Sequence, residues 1–248
     1  VVRNRLVTVL TLNDGVLFRT KHFVPDYRYT LNFVDLWSID EIVVLDVTRP
    51  GQGDRAHFYD AVSRLAGNCF VPLAVGGGVR SIEDARTLLS VGADKIVINT
   101  GALERPELIT EIASAYGAQC VVVSIDAQPL GDGAYDVRSQ FGTVATGQSP
   151  DAWAQRAQAL GAGEIFVTSI EKDGSLEGYD NVLNRMVADA VTVPVLACGG
   201  AGSWQHFVDG FTIGGASAVC TTNIYHFTDT SIRSAKRYLD RAGIAVRL

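Results

Sequence analysis

Two glycine clusters in the sequence have the composition of anion cradles. Gly76-Gly77-Gly78 follows Val71-Pro72-Leu73-Ala74-Val75, and Gly199-Gly200-Ala201-Gly202 follows Val193-Pro194-Val195-Leu196-Ala197-Cys198. Glycine after a strand lets backbone N–H groups approach an anion closely, and a helix N-terminus beside it adds a positive dipole end. One strand further on, each cluster is followed by small polar residues, Asn99-Thr100 in one case and Thr222-Asn223 in the other. Gly77, Gly78, Asn99 and Thr100 are therefore read as one phosphate site, and Gly199, Gly200, Thr222 and Asn223 as a second. Tight strand-to-helix turns without a ligand are the plainer alternative. Two such sites predict a ligand with a phosphate at each end.

Acids near strand ends are few: Asp14, Asp46, Asp126 and Asp173. Asp126 closes the run Val121-Val122-Val123-Ser124-Ile125, where a partly desolvated carboxyl suits general acid–base work. A helix cap or a loop hydrogen bond is its plainer role. Asp173-Gly174 fits a turn as well as it fits phosphate binding, and Asp46 fits loop organisation. The position equivalent to Asp126 in the first half is Thr11, after Leu6-Val7-Thr8-Val9-Leu10. A threonine hydroxyl is a poor base at neutral pH.

A second constellation lies at the opposite strand ends. Arg5, Glu41, Lys95 and Glu164 each open a β-rich run. Pointing inward, they would form a ring of two cations and two anions, either a structural salt-bridge plug or a gate to an axial passage. Charges in such a place are costly unless paired.

The elements that must position these groups are eight short runs rich in Val, Ile and Leu: Arg5 to Leu12, Glu41 to Val47, Val71 to Val75, Lys95 to Asn99, Cys120 to Asp126, Glu164 to Ser169, Val193 to Ala197 and Ala218 to Thr222. Near-continuous apolar content marks parallel strands buried on both faces. Helical patterns lie between them, at Ser81 to Leu89 with a capping-box start, Pro106 to Tyr116 and Pro150 to Leu160. Eight alternations predict a single (βα)8 TIM barrel over residues 1–248, with a doubly wound open sheet as the alternative. Val193-Pro194 follows Val71-Pro72 by 122 residues, and Glu164-Ile165 follows Glu41-Ile42 by 123. This half-chain period implies two similar half-barrels, about 1–119 and 120–248. The polar, glycine-rich stretch from Gln128 to Gln148 reads as an excursion on the active face.

Composition narrows the classes. The 248 residues carry 21 Lys plus Arg against 27 Asp plus Glu, a net charge of −6, which argues against a generally basic nucleic-acid binder. No apolar run approaches the roughly 18 residues of a membrane span. The opening VVRNRLVTVL lacks a signal-peptide pattern. Cys69, Cys120, Cys198 and Cys220 have neither zinc-site nor disulfide-framework spacing, and His22, His57, His206 and His226 are scattered. A cytoplasmic protein without metal or cofactor is expected.

The motifs together resemble the HisF family, the cyclase subunit of imidazole glycerol phosphate synthase. The resemblance spans essentially the whole chain and rests on Leu73-Ala-Val-Gly-Gly-Gly-Val, Gly92-Ala-Asp-Lys-Ile-Val-Ile-Asn-Thr, Gly161-Ala-Gly-Glu-Ile, Asp173-Gly174 with Gly178-Tyr179-Asp180, and Gly199-Gly-Ala-Gly. It implies a (βα)8 barrel docked on a glutaminase, whose ammonia crosses the barrel to join a bis-phosphorylated ribulosyl substrate. It implies that Arg5, Glu41, Lys95 and Glu164 form the ammonia gate and that Asp94 helps dock the glutaminase. It further implies phosphate binding at Gly78, Asn99 and Thr100 and at Asp173, Gly174 and Gly200, with Asp126 as one of two catalytic aspartates.

The departures from the family pattern are specific. Thr11 stands where the family has its other catalytic aspartate, and Arg19 stands for a substrate-contacting lysine. Thr222-Asn223 replaces a small Ala-Ser pair, and the segment near Tyr27 to Ser38 is shortened. A kept gate beside a lost acid resembles the divergent HisF-like branch that works with a HisH-like glutaminase in sugar or specialised-metabolite amidation. The resemblance therefore implies an ammonia-accepting synthase subunit with a phosphorylated small-molecule ligand. A histidine-pathway cyclase, with Asn13 or Asp14 replacing the lost base, and a non-catalytic scaffold that activates a glutaminase are the alternatives.

Overall fold

The computed structural model describes residues 4–28, 39–222 and 232–247. In chain order its strands are β1 (Arg5–Asn13), β2 (Val16–Lys21), β3 (Val24–Arg28), β4 (Glu41–Asp46), β5 (Leu73–Gly76), β6 (Lys95–Ile98), β7 (Val121–Gly131), β8 (Ala134–Ser139), β9 (Val144–Ala145), β10 (Glu164–Ser169), β11 (Val195–Cys198) and β12 (Ala218–Thr221). The helices are α1 (Arg55–Ala66), α2 (Ile82–Ser90), the short α3 (Thr100–Glu104), α4 (Glu107–Tyr116), α5 (Pro150–Ala159), α6 (Asn181–Ala190), α7 (Trp204–Thr212) and α8 (Ile232–Arg241).

Eight strands pair in parallel in the order β10-β11-β12-β1-β4-β5-β6-β7, and β7 pairs back to β10. The sheet is a closed (βα)8 barrel, not an open doubly wound sheet. Closure leaves no unpaired edge among these strands. Alternate residues face the barrel interior, where Val7, Val43, Val97, Val122, Phe166 and Leu196 belong to one apolar cluster. The other strand face packs on the helices in a larger cluster that includes Leu6, Ile42, Phe58, Leu88, Trp153 and Phe207. Strands buried on both faces explain the near-continuous apolar runs of the sequence.

The half-chain repeat is present in the elements themselves. Leu73 of β5 recurs as Val195 of β11, and Ile82 of α2 as Trp204 of α7, both 122 residues on. Each of these helices begins at a serine cap. Ser81 accepts from the Asp84 N–H, and Asp84 reciprocates by accepting from the Ser81 N–H, a capping box worth about 1 kcal/mol. Ser203 accepts from the His206 N–H.

Four further strands extend two of the strand-to-helix connections. β2 pairs antiparallel with β1 and β3, and β8 pairs antiparallel with β7 and β9. The sequence places the end of the fifth barrel strand at Asp126, whereas β7 continues to Gly131, because Ala127, Gln128, Pro129 and Gly131 gain partners in β8. The expected excursion from Gln128 to Gln148 is thus largely this hairpin.

Among the described residues no helix is long and apolar enough to cross a membrane.

Candidate functional site

The C-terminal ends of the barrel strands surround a cavity of about 1020 Å³. Thr11, Gly77, Gly78, Asn99, Thr100, Asp126, Asp173 and Thr222 all line it. Alternation along each strand explains the placement. Arg5, Val7, Val9 and Thr11 share the inner face of β1, so a cation at the bottom of that strand fixes a threonine at its top.

Asp126 is a strongly perturbed carboxyl of the cavity. Burial pushes it from the ordinary carboxylate range up to about 7, assisted by the charge of Asp173 and opposed by hydrogen bonds from Ser124 and Asn99. The Asn99 side-chain amide donates to Asp126 at 2.6 Å. Ser124 Oγ stands at 3.5 Å, the outer limit for such a bond. A carboxyl near 7 is divided between its two forms at neutral pH, as a general acid or base requires.

Thr11 has no comparable character. It is buried, and its hydroxyl donates to the Phe18 carbonyl at 2.5 Å, so its proton fastens β1 to β2. Asp14 does not line the cavity. Its carboxylate accepts from the Asp54 N–H at 3.1 Å and meets His57 Nδ1 at 2.8 Å. Asn13 lines the cavity, but an amide is not a base at neutral pH. Cys198 also lines the cavity, where burial raises its thiol to about 12 and keeps it protonated.

The two halves are unequal. Gly77 has a φ of 103°, and a Cβ there would run into the Asp46 carbonyl. The Arg55 guanidinium donates to the carbonyls of Gly77 and Gly78 at 3.2 and 3.1 Å and so holds this turn. Gly199 and Gly200 do not line the cavity. Gly200 has a φ of 101°, and its carbonyl accepts from the Gly178 N–H at 2.7 Å. Gly174 packs on Thr20 and Lys21 of β2. Asp173 accepts from the Phe23 N–H at 3.0 Å, so its carboxylate secures the turn between β2 and β3. Asp46 forms a local turn, accepting from the Thr48 N–H at 3.0 Å. The side chain of Arg19, all of Asn223 and residues 29–38 of the shortened segment lie outside the described residues.

At the opposite end of the barrel the four predicted charges meet. Arg5 pairs with Glu41 and, at 2.9 Å, with Glu164; Lys95 pairs with Glu41 at 2.8 Å and with Glu164 at 3.0 Å. The ring is closed, with alternating signs. Glu41 is 1% exposed and Glu164 8%, so the pairing offsets a large desolvation cost. Asp94 lies outside the ring on the same end. Its carboxylate accepts from the Leu73 N–H at 2.8 Å.

Sequence reasoning missed Arg49, Arg55 and Phe141, which all line the cavity. Arg49 and Arg55 flank the Asp54 helix cap, a basic loop after an inward strand, and that was the available signal. Phe141 had none, because only the β8–β9 turn carries it to the mouth.

A parallel barrel with a buried acid–base group at the C-terminal strand ends and glycine turns beside it is the architecture of a (βα)8 barrel enzyme. Residues 7–231 match the family described as histidine biosynthesis proteins, the family of the HisA and HisF barrels, and the chain belongs to it.

Proposed function

We propose that this chain is a HisF-like synthase subunit that receives ammonia from a glutaminase partner through the barrel and uses it in a glutamine-dependent amidation involving a phosphorylated ligand. The observation that carries the reading is the closed ring of Arg5, Glu41, Lys95 and Glu164 beneath a barrel whose top holds one acid–base carboxyl, Asp126, and a committed threonine, Thr11. A ring built only to fill space would be cheaper in apolar residues, since burying four charges costs more than packing methyl groups.

The physical chemistry of transfer follows from the layers. Ammonia leaves the partner's glutamine as a neutral molecule or gains a proton in water. The ring is charge-balanced, Arg5 and Lys95 against Glu41 and Glu164, so the selection falls to the apolar layer of Val7, Val43, Val122 and Phe166 above it, which disfavours the ammonium form. Neutral ammonia is the species admitted, and passage requires one of the four ion pairs to open. At the top, Asp126 near 7 is placed to accept or return a proton as nitrogen bonds to the acceptor. The glutaminase docks on the face that carries the ring and Asp94, and the whole assembly belongs in the cytoplasm.

The test separates this reading from a histidine-pathway cyclase. The purified chain is given the bis-phosphorylated cyclase substrate with free ammonia. Negligible turnover is expected, because Thr11 supplies no second carboxyl. Turnover at an ordinary cyclase rate refutes the proposal. A reconstituted system in which ring-blocking substitutions leave glutamine-dependent product unchanged refutes it in favour of a scaffold.

A further inference from the structure

Among the described residues three arginines line the cavity, and two have their guanidinium groups engaged. Arg55 is bound to the carbonyls of Gly77 and Gly78 and to Tyr59, and Arg80 pairs with Glu104 at 2.7 Å. Arg49 differs. Its guanidinium lies over the ring of Phe141, 4.0 Å from the centroid. Among the described residues no carboxylate or carbonyl accepts from its edge.

We propose that Arg49 is an anion anchor and specificity-determining residue of the cavity, oriented by Phe141, and that it grips the phosphate of the ligand that also contacts the first-half glycine turn. The inference rests on the reading that the cavity takes a phosphorylated ligand.

The argument is geometric. A guanidinium is planar, with its five N–H donors in the plane and none on the faces. Stacking on an aromatic ring uses one face and leaves the donor edge intact, in the fork arrangement that meets two phosphate oxygens at once. Phe141 therefore holds the Arg49 guanidinium over its ring without consuming its hydrogen bonds, which reduces the freedom lost on binding.

The ring is itself held in place. Gln140 and Phe141 both take left-handed backbone angles, with φ of 48° and 62°, and the Gln140 N–H donates to Thr100 Oγ1 at 3.0 Å. Thr100 follows Asn99, which holds Asp126. A continuous set of contacts thus ties Arg49, from the loop after β4, through the β8–β9 turn to the residues after β6. It crosses the mouth of the cavity above the reacting end.

The test uses the full chain labelled with ¹⁵N and titrated with inorganic phosphate, following the amide signals of Gly78 and Thr100. The wild type is expected to show saturable shifts. Arg49→Gln is expected to weaken binding about tenfold, equivalent to about 1.4 kcal/mol. Arg49→Lys is expected to recover only part of it, because an ammonium lacks the fork. Phe141→Leu is expected to weaken binding about threefold and Phe141→Trp to restore it, a pattern that a merely space-filling role would not give. Thermal unfolding checks that each variant is folded. Equal affinity of wild type and Arg49→Gln overturns the role of Arg49 and leaves the phosphorylated-ligand reading standing. No saturable shift in the wild type overturns both. Weakening by Arg49→Gln with wild-type behaviour of Phe141→Leu overturns the orienting role of Phe141.

Discussion

Replacing Arg5 with alanine tests the charged ring most directly. In the native ring two cations face two carboxylates, and each cation serves both. Arg5→Ala leaves Lys95 alone between Glu41, with a side chain 1% exposed, and Glu164, at 11%. Removing one partner of a fully buried pair costs about 3–5 kcal/mol. Arg5 is itself 20% exposed, so water enters the vacated space and the expected loss falls to about 2–4 kcal/mol. For a domain of this size that lowers the unfolding midpoint by roughly 5–15 °C. The second variant carries the reasoning. Arg5→Ala combined with Glu164→Gln restores one cation to one anion, so the double variant is expected to regain at least half of the loss. Thermal and denaturant unfolding of the wild type, both single variants and the double variant complete the cycle. A single variant within 1 °C of wild type, or losses that simply add in the double, refutes the account of the ring as a balanced buried network. With a glutaminase partner present, Arg5→Ala is also expected to release ammonia to solvent at the expense of product, and unchanged leakage counts against a gating role.

Three other perturbations have defined outcomes. Asp126 binds its proton more tightly folded than unfolded, so its contribution to stability is fully present below about pH 4 and is lost as pH rises through about 7. Asp126→Asn is therefore expected to gain about 2–4 kcal/mol on the wild type at pH 8 and little at pH 4; a gain independent of pH between 4 and 8 would contradict the buried-carboxyl account. Asp173→Ala removes the acceptor of the Phe23 N–H and is expected to cost about 1.5–3 kcal/mol, with faster hydrogen exchange at Phe23 as its signature. Lys236 donates to Asp40 at 2.6 Å, both side chains being 7% exposed, and Asp40 also accepts from the Leu6 N–H. Lys236→Ala is expected to destabilise by about 3–5 kcal/mol and to detach α8 first, measured by exchange in that helix.

Local sequence carried a large part of the architecture, for physical reasons. Parallel strands covered on both faces need continuous Val, Ile and Leu, and eight such runs separated by capped helices leave few topologies other than a barrel. The charged ring was legible because a strand has period 2: Arg5, Glu41, Lys95 and Glu164 each stand at a strand start on the inward register. The short antiparallel strands were not legible. Val144–Ala145 and Val24–Arg28 carry no strand signal of their own, and pairing with a neighbour makes them strands.

The sequence by itself determined the barrel, the half-chain recurrence of its motifs, the position of Asp126 at a strand end and the four charges at the opposite strand ends. These follow from periodicity and composition, which act over a few residues. Only the tertiary structure decided how each group is used. It directs the Thr11 hydroxyl to Phe18, fastens Asp173 to the β2–β3 turn, and packs Gly200 against Gly178 away from the cavity. It also brings Arg49 onto Phe141 across the cavity mouth. The reason is common to all four: a side chain's proton, charge or face is committed by partners far along the chain, and no local pattern records those partners.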